Sequence, residues 1–496
     1  MTATLSRLMP LAGESPRSDA AGAPLTLEHA PSTGAPTPIG IVVTGDNHLS
    51  AYLPRLSPQR RAERRARLRA GFAAAARYAI THRARLFAQV GDLFDTPTPS
   101  NEDRTFVARI LSELRASGIV CVGISGNHDT PRMLTEQGGA SPQSIYAAFD
   151  GLRYFARDDA LVPEIVTLGG LRVAIAGLTN NPVAPPGSDP LAGIAIVDET
   201  NALDQADVGL LMLHAGIEGL CRENEGERIV RQATLAGLPG IFRVVVAGHI
   251  HRFGKQRIGE RGVVVCGATE RMEFGTASGS SGFAWLEMDQ SGIRRAEHIK
   301  IEEQPRADVL ISTSRIWPDD SLQAGHVVPD TLEGPPGADV APIADVPSPR
   351  PAADAAHGLW RQRTGEAAAS DPLTAIRGAL TEVCTPETIV RLRLAGPLTL
   401  EQYHNLPLRE VLHFGQQHAF SFDLDTRDLM LLEPRSPARR AGAAAGPISP
   451  LHELETLLAE RLESETGDSA TAMDTRAAAG LLAERLHEAR DREASR

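Results

Sequence analysis

Five short polar motifs recur along this chain, each closing an apolar run: Asp46-Asn47-His48, Gly91-Asp92, Gly126-Asn127-His128-Asp129, His214 and Gly248-His249-Ile250-His251. They supply carboxylates, an amide and imidazoles, and no thiol. That donor set suits octahedral divalent cations better than a structural zinc site, which favours cysteine. Asp46 and His48 are one residue apart, as are His249 and His251, and in an extended segment that spacing sends both side chains to one side. Gly45, Gly91, Gly126 and Gly248 precede the polar residues in four motifs, where a sharp turn lets the backbone come close to a bound ion. A lone Asp after a strand is usually a turn residue, and a lone His is usually filler. Five such motifs in order predict a pair of divalent cations and the hydrolysis of a phosphoester.

The elements that must carry these motifs can be read from periodicity. Ile41-Val42-Val43, Leu86–Val90 and Ile119–Ile124 are short apolar runs of strand length, each running into a motif. Between them, residues 58–81 place Leu68, Phe72, Ala75, Ala76 and Ala79 on one helical face, and Phe106–Leu114 repeats a helical pattern. Strand–helix–strand order predicts parallel pairing, with the motifs past the carboxyl ends of the strands. Further strands are expected at Leu171–Ala176, Val208–Leu213, Arg243–Val246 and Gly262–Cys266. Gly282–Met288 and Ile293–Ile301 read as a hairpin.

At 496 residues the chain exceeds a single ordinary core. Residues 1–38, rich in Ala, Pro, Gly, Ser and Thr, read as a disordered extension or an over-extended gene start. A catalytic domain is expected over 39–303, a linker or loose insert over 304–370, and a small α/β capping domain over 371–433. A second linker (434–448) leads to a helical segment (449–496) with Leu451, Leu454, Leu458 and Leu462 on one stripe and Ala477, Leu481, Leu482 and Leu486 on another. The predicted fold class is α/β: a layered β-sheet core flanked by helices, with the capping domain and C-terminal helices added. The net charge of −12 excludes a protein that coats nucleic acid by charge alone, though not a nuclease with a local cationic cleft. The four cysteines have no close spacing, and Cys121 and Cys266, in apolar strand-like runs, read as buried small hydrophobes rather than metal ligands or disulfides, which fits a reducing compartment. No run has signal-peptide or transmembrane character, so a cytoplasmic protein without membrane contact is expected.

The motifs Gly45-Asp46-Asn47-His48, Gly91-Asp92-Leu93-Phe94-Asp95, Gly126-Asn127-His128-Asp129, His214-Ala215-Gly216 and Gly248-His249-Ile250-His251 resemble those of the calcineurin-like metallophosphoesterases. Within that superfamily, Gly267-Ala268-Thr269-Glu270-Arg271-Met272-Glu273-Phe274-Gly275 resembles the nuclease subunit of SbcCD-type double-strand-break repair complexes. The resemblance implies Asp46, His48, Asp92 and His251 on one metal and Asp92, Asn127, His214 and His249 on the other, bridged by Asp92. A shared carboxylate is the natural way to hold two cations about 3.5–4 Å apart. Manganese is the ion the family implies. His128, left without a metal, is the candidate to protonate the leaving oxygen, and Asp129 the candidate to orient it.

DNA contact is expected from Arg271 and, on the helix, from Arg60, Arg64 and Arg67, with a solvated helix face as the alternative. The resemblance implies docking of the C-terminal helices on the coiled-coil base of an ABC-type ATPase; packing within the chain is the alternative. A homodimer of nuclease domains is a further expectation. The leading function is a two-metal DNA exonuclease and endonuclease in repair and recombination. The alternatives are a phosphatase or phosphodiesterase on a small-molecule or protein substrate, and a non-catalytic scaffold.

Overall fold

The computed structural model describes residues 38–133, 139–221, 227–272, 274, 280–317 and 371–432. The expected N-terminal extension, most of the linker and the C-terminal helices lie outside the described residues. The chain divides into two compact units. The first includes Arg64–Glu270 and the hairpin that follows it; the second includes Leu53–Glu63 and the chain from Glu303 onward. No helix among the described residues is long and apolar enough to cross a membrane.

Two six-stranded sheets build the first unit. In one, Ile39–Thr44, Leu86–Val90 and Val120–Ile124 run parallel. Gly282–Asp289 joins its edge antiparallel and turns back as Gly292–Lys300, the expected hairpin. In the other, Leu171–Gly177, Val208–His214, Phe242–Gly248 and Arg261–Val265 are parallel neighbours. The antiparallel strands Glu164–Leu168 and Gly254–Ile258 close its edges. Val43, Leu86 and Ile124 from the first sheet share one core with Val173, Val208 and Val244 from the second. The second sheet is apolar on both faces: Leu210 and Met212 belong to the shared core, whereas Leu211 and Leu213 pack in a separate cluster with Leu235. Burial on both sides explains why its strands read as unbroken apolar runs rather than alternating ones.

Helix Pro58–Thr81 covers the outer face of the first sheet, with Phe72 edge-on to Phe87 at 5.9 Å between ring centres. Its buried residues step through Arg64, Leu68, Phe72, Ala75, Ala76 and Ala79, so the apolar stripe starts with an arginine.

The second unit centres on a parallel three-stranded sheet of Arg306–Ser312, Ile389–Leu398 and Ser421–Leu431. Val390, Leu392 and Leu394 enter its core with Ile376 and Val411 of the helices Pro372–Leu380 and Leu408–His418. The expectation of a linker from 304 is corrected here: Arg306–Ser312 is a strand and Thr313–Ile316 a short helix.

Candidate metal centre

The parallel strands of both sheets end in loops that carry the five motifs. After Thr44 and Val90 the ladder continues irregularly, with Asp46 N donating to Gly91 O at 3.1 Å and Asn47 N to Asp92 O at 2.8 Å. Asp46, His48, Asp92 and His249 all take left-handed backbone conformations, with φ of 48°, 48°, 50° and 86°. Such angles cost of order 1–3 kcal/mol in non-glycine residues and persist where the surroundings enforce them. At Gly126 the fold tolerates no side chain, since a Cβ there would overlap the Asp92 carboxylate and come within 2.6 Å of His214 Nε2.

The side chains converge in two groups that share Asp92. In the first, His48 Nε2 lies 3.2 Å from His251 Nε2 and 4.0 Å from Asp92 Oδ2, with Asp46 Oδ1 3.9 Å from His251 Nε2. In the second, His214 Nε2 lies 3.2 Å from Asp92 Oδ2 and 3.1 Å from Asn127 Oδ1, which is also 3.1 Å from His249 Nδ1. All seven residues expected as ligands are therefore brought together. A further grouping joins His128 to His48 and Asp92, with ligand atoms within 4.8 Å of one another.

Tautomers follow from the outer partners. Nδ1 of His214 faces the carbonyl of Val90 at 2.8 Å and Nδ1 of His48 faces Asp95 Oδ1 at 3.0 Å. Both partners only accept, so each Nδ1 carries a proton and each Nε2 turns a lone pair inward when the ring is neutral. His249 Nε2 lies 3.4 Å from Glu227 Oε1. Burial pushes the Asp46 carboxyl up to about 6, with the nearby Asp92 charge adding to it. Burial opposes the charged form of His214, yet the Asp92 and Asp46 carboxylates outweigh it and push the ring up to about 10. Burial and the charge of His214 hold His249 down to about 4; burial and the charge of His48 hold His251 down to about 3.

Divalent cations fit this cluster. The Asp46 and Asp92 carboxylates gather around His214 and stabilise a proton on its ring, and a divalent cation would take that proton's place as the compensating charge. The glycine at 126 keeps that space clear.

His128 sits at the rim with its side chain 45% exposed and its Nδ1 3.2 Å from Asp95 Oδ1. The hydrogen bond to Asp95 raises its pKa against the opposing effect of burial. Asp129 does not orient it, contrary to expectation. Asp129 is fully buried and accepts from Gly126 N at 2.7 Å, Leu93 N at 2.9 Å, Phe94 N at 3.4 Å and Gln143 Nε2, so it straps two site loops together. The orienting carboxylate is Asp95, which sequence reasoning missed although it stands one helical-turn spacing after Asp92. One oxygen of Asp95 serves both His48 and His128.

The expected DNA-contacting arginines fare differently. Arg64 is 1% exposed and paired with the equally buried Glu270 at 3.1 Å, so it faces the core and not a phosphate backbone. Its position one turn before Leu68 on the apolar stripe was the available signal. Arg67 is half-buried on the same helix. In the second unit, Arg60 Nη1 donates to Phe420 O at 2.8 Å, and Arg271, 10% exposed, pairs with Glu303 at 3.9 Å.

The two packed sheets with motif-bearing loops at their strand ends form a layered α/β core, and residues 39–253 of it match the Calcineurin-like phosphoesterase family. Such a fold with its clustered Asp and His side chains supports hydrolase chemistry. Among individual proteins, the chain is similar to DNA double-strand break repair protein Mre11 of Sulfurisphaera tokodaii, 28% identical over 32% of this chain and 37% of that one. The Mre11 proteins of Methanopyrus kandleri and Saccharolobus solfataricus are each 24% identical. They match over 48% and 46% of this chain and 53% and 56% of their own length. The chain thus spans about half or less of the length of the relatives it matches.

Proposed function

We propose that the protein is a two-metal phosphodiesterase that cleaves DNA as the nuclease subunit of a double-strand-break repair complex, with manganese as its ion. The observation that carries the reading is the pair of donor groups joined through Asp92, with His128 held beside them by Asp95. Two divalent cations in such a site supply Lewis-acid polarisation of phosphoryl oxygens and lower the pKa of water. Asp46, His48, Asp92 and His251 would hold one, and Asp92, Asn127, His214 and His249 the other. Asp95 keeps His128 Nδ1 protonated and turns Nε2 outward, where it donates a proton to the departing oxygen. Asp129 fixes the loop on which Asn127 and His128 stand.

Similarity to three Mre11 repair proteins favours DNA over a small phosphodiester. The test is cleavage of labelled single- and double-stranded DNA by the full chain with manganese, beside a chromogenic phosphodiester. Cleavage of DNA is expected; hydrolysis of the small ester without DNA cleavage would favour the alternative substrate class. The proposed partner is an ABC-type coiled-coil ATPase bound through residues 449–496, and two nuclease domains are proposed to pair. Deleting 449–496 should abolish capture of the ATPase and spare the small-ester activity; undiminished capture would place the interface elsewhere.

A further inference from the structure

Beside the second donor group lies a cation that the motifs do not announce, Arg228. It immediately precedes the strand Ile229–Val230, which pairs parallel with Gly216–Ile217, and its carbonyl accepts from Gly216 N at 3.0 Å, two residues past His214. Its neighbour Glu227 is the residue against His249 Nε2. On the other side Arg228 Nη1 donates to Asn180 Oδ1 at 3.0 Å and to Asn181 O at 2.9 Å. Asn180 N in turn donates to Ser125 O at 3.2 Å, immediately before Gly126-Asn127. Three separate anchors thus lead from this arginine to His214, His249 and Asn127.

Those anchors occupy only one end of the guanidinium. Nε is buried without a hydrogen-bond partner among the described residues, and Asp158 offers a through-space charge rather than a contact. Arg65, Arg104, Arg243 and Arg393 also bury an Nε without a hydrogen-bond partner; what sets Arg228 apart is its place next to Glu227, which stands against His249. The edge formed by Nε and Nη2 is planar and presents parallel N–H groups, the geometry that takes two oxygens of a phosphate. Asn180 and Asn181 hold the fork in place before any ligand arrives, which reduces the ordering cost of binding.

We propose that Arg228 is a substrate-phosphate clamp, its Nε–Nη2 edge receiving nonbridging oxygens of a phosphodiester on the Asn127–His214–His249 side of the site. The identity of the substrate rests on the function proposed above; the anion site itself is tested independently. The probe is inorganic phosphate, titrated calorimetrically into the manganese-loaded full chain and into its Arg228→Gln and Arg228→Lys variants. Hydrolysis of bis(4-nitrophenyl) phosphate is followed in parallel. Arg228→Gln should weaken phosphate binding about 10–100-fold and lower kcat/KM correspondingly, with manganese stoichiometry unchanged. Arg228→Lys, which keeps the charge and loses the fork, should recover only part of the affinity. Unchanged phosphate affinity in Arg228→Gln would overturn the clamp. Should the Gln variant melt early, wild-type affinity in Arg228→Lys overturns the fork in its place. A wild-type chain that binds phosphate through Arg228 yet hydrolyses no phosphodiester would leave the clamp standing and sink the proposed function.

Discussion

Charge is handled in opposite ways in two regions of this molecule. On the sheet of the second unit, Arg391 pairs with Asp308 at 2.6 Å, Arg393 reaches the same carboxylate at 3.4 Å, and Arg427, 85% exposed, pairs with Asp425. Arg427 reaches into solvent, so its pairing adds little to stability and costs little to lose, whereas Arg391 and Arg393 cover the largely buried Asp308 carboxylate. At the ends of the first unit's strands, Asp46, Asp92, His48 and His214 are buried together, and four of the site's residues hold left-handed backbone angles. Folding alone gains nothing from two mutually repelling buried carboxylates. Charges in the second unit are matched by one another, whereas the buried cluster of the first unit is arranged as a bound cation would require.

Substitutions sharpen the contrast. The largest effect is expected on turnover: His128→Ala should slow phosphodiester cleavage about 10²–10⁴-fold while both ions stay bound. Metal analysis beside the rate assay checks it, and loss of an ion would make His128 a ligand and dissolve the distinction between rim and cluster. Next is Arg64→Met, which removes the guanidinium 3.1 Å from the buried Glu270 carboxylate. It should destabilise the protein by roughly 3–5 kcal/mol, and the double variant Arg64→Met/Glu270→Leu should recover much of that. Chemical denaturation would read both, and a single variant as stable as the parent would show the pair to be hydrated. Smallest of all, Arg427→Ala should leave the melting temperature where it was. A clear drop would mean that the second unit's surface charges do more than the comparison allows.

Strand ends and the motifs after them were legible because both are local: an apolar run of strand length, then a glycine and a ligand-type side chain. Helix Pro58–Thr81 and the hairpin of Gly282–Asp289 with Gly292–Lys300 could be read for the same reason. What escaped depends on direction or distance. Asp129 follows His128 in sequence, but the loop turns its carboxylate back to Gly126, Leu93 and Phe94, and Asp95 takes its place against His128. Arg306–Ser312 is mixed in polarity and finds its partner only at Ile389, far along the chain, so no local pattern marks it as a strand. Arg228 has no motif at all; only the pairing of Ile229–Val230 with Gly216–Ile217 brings it beside His214. Arg64 was legible in principle, since the stripe through Leu68 and Phe72 extends back to it.

The central claim is that Asp92 is shared by two cations. An anomalous-scattering map from crystals of the full chain grown with manganese tests it most directly. Two peaks are expected, one against Asp46, His48 and His251 and the other against Asn127, His214 and His249, with Asp92 touching both. A single peak, or a pair that leaves Asp92 uncoordinated, would contradict it.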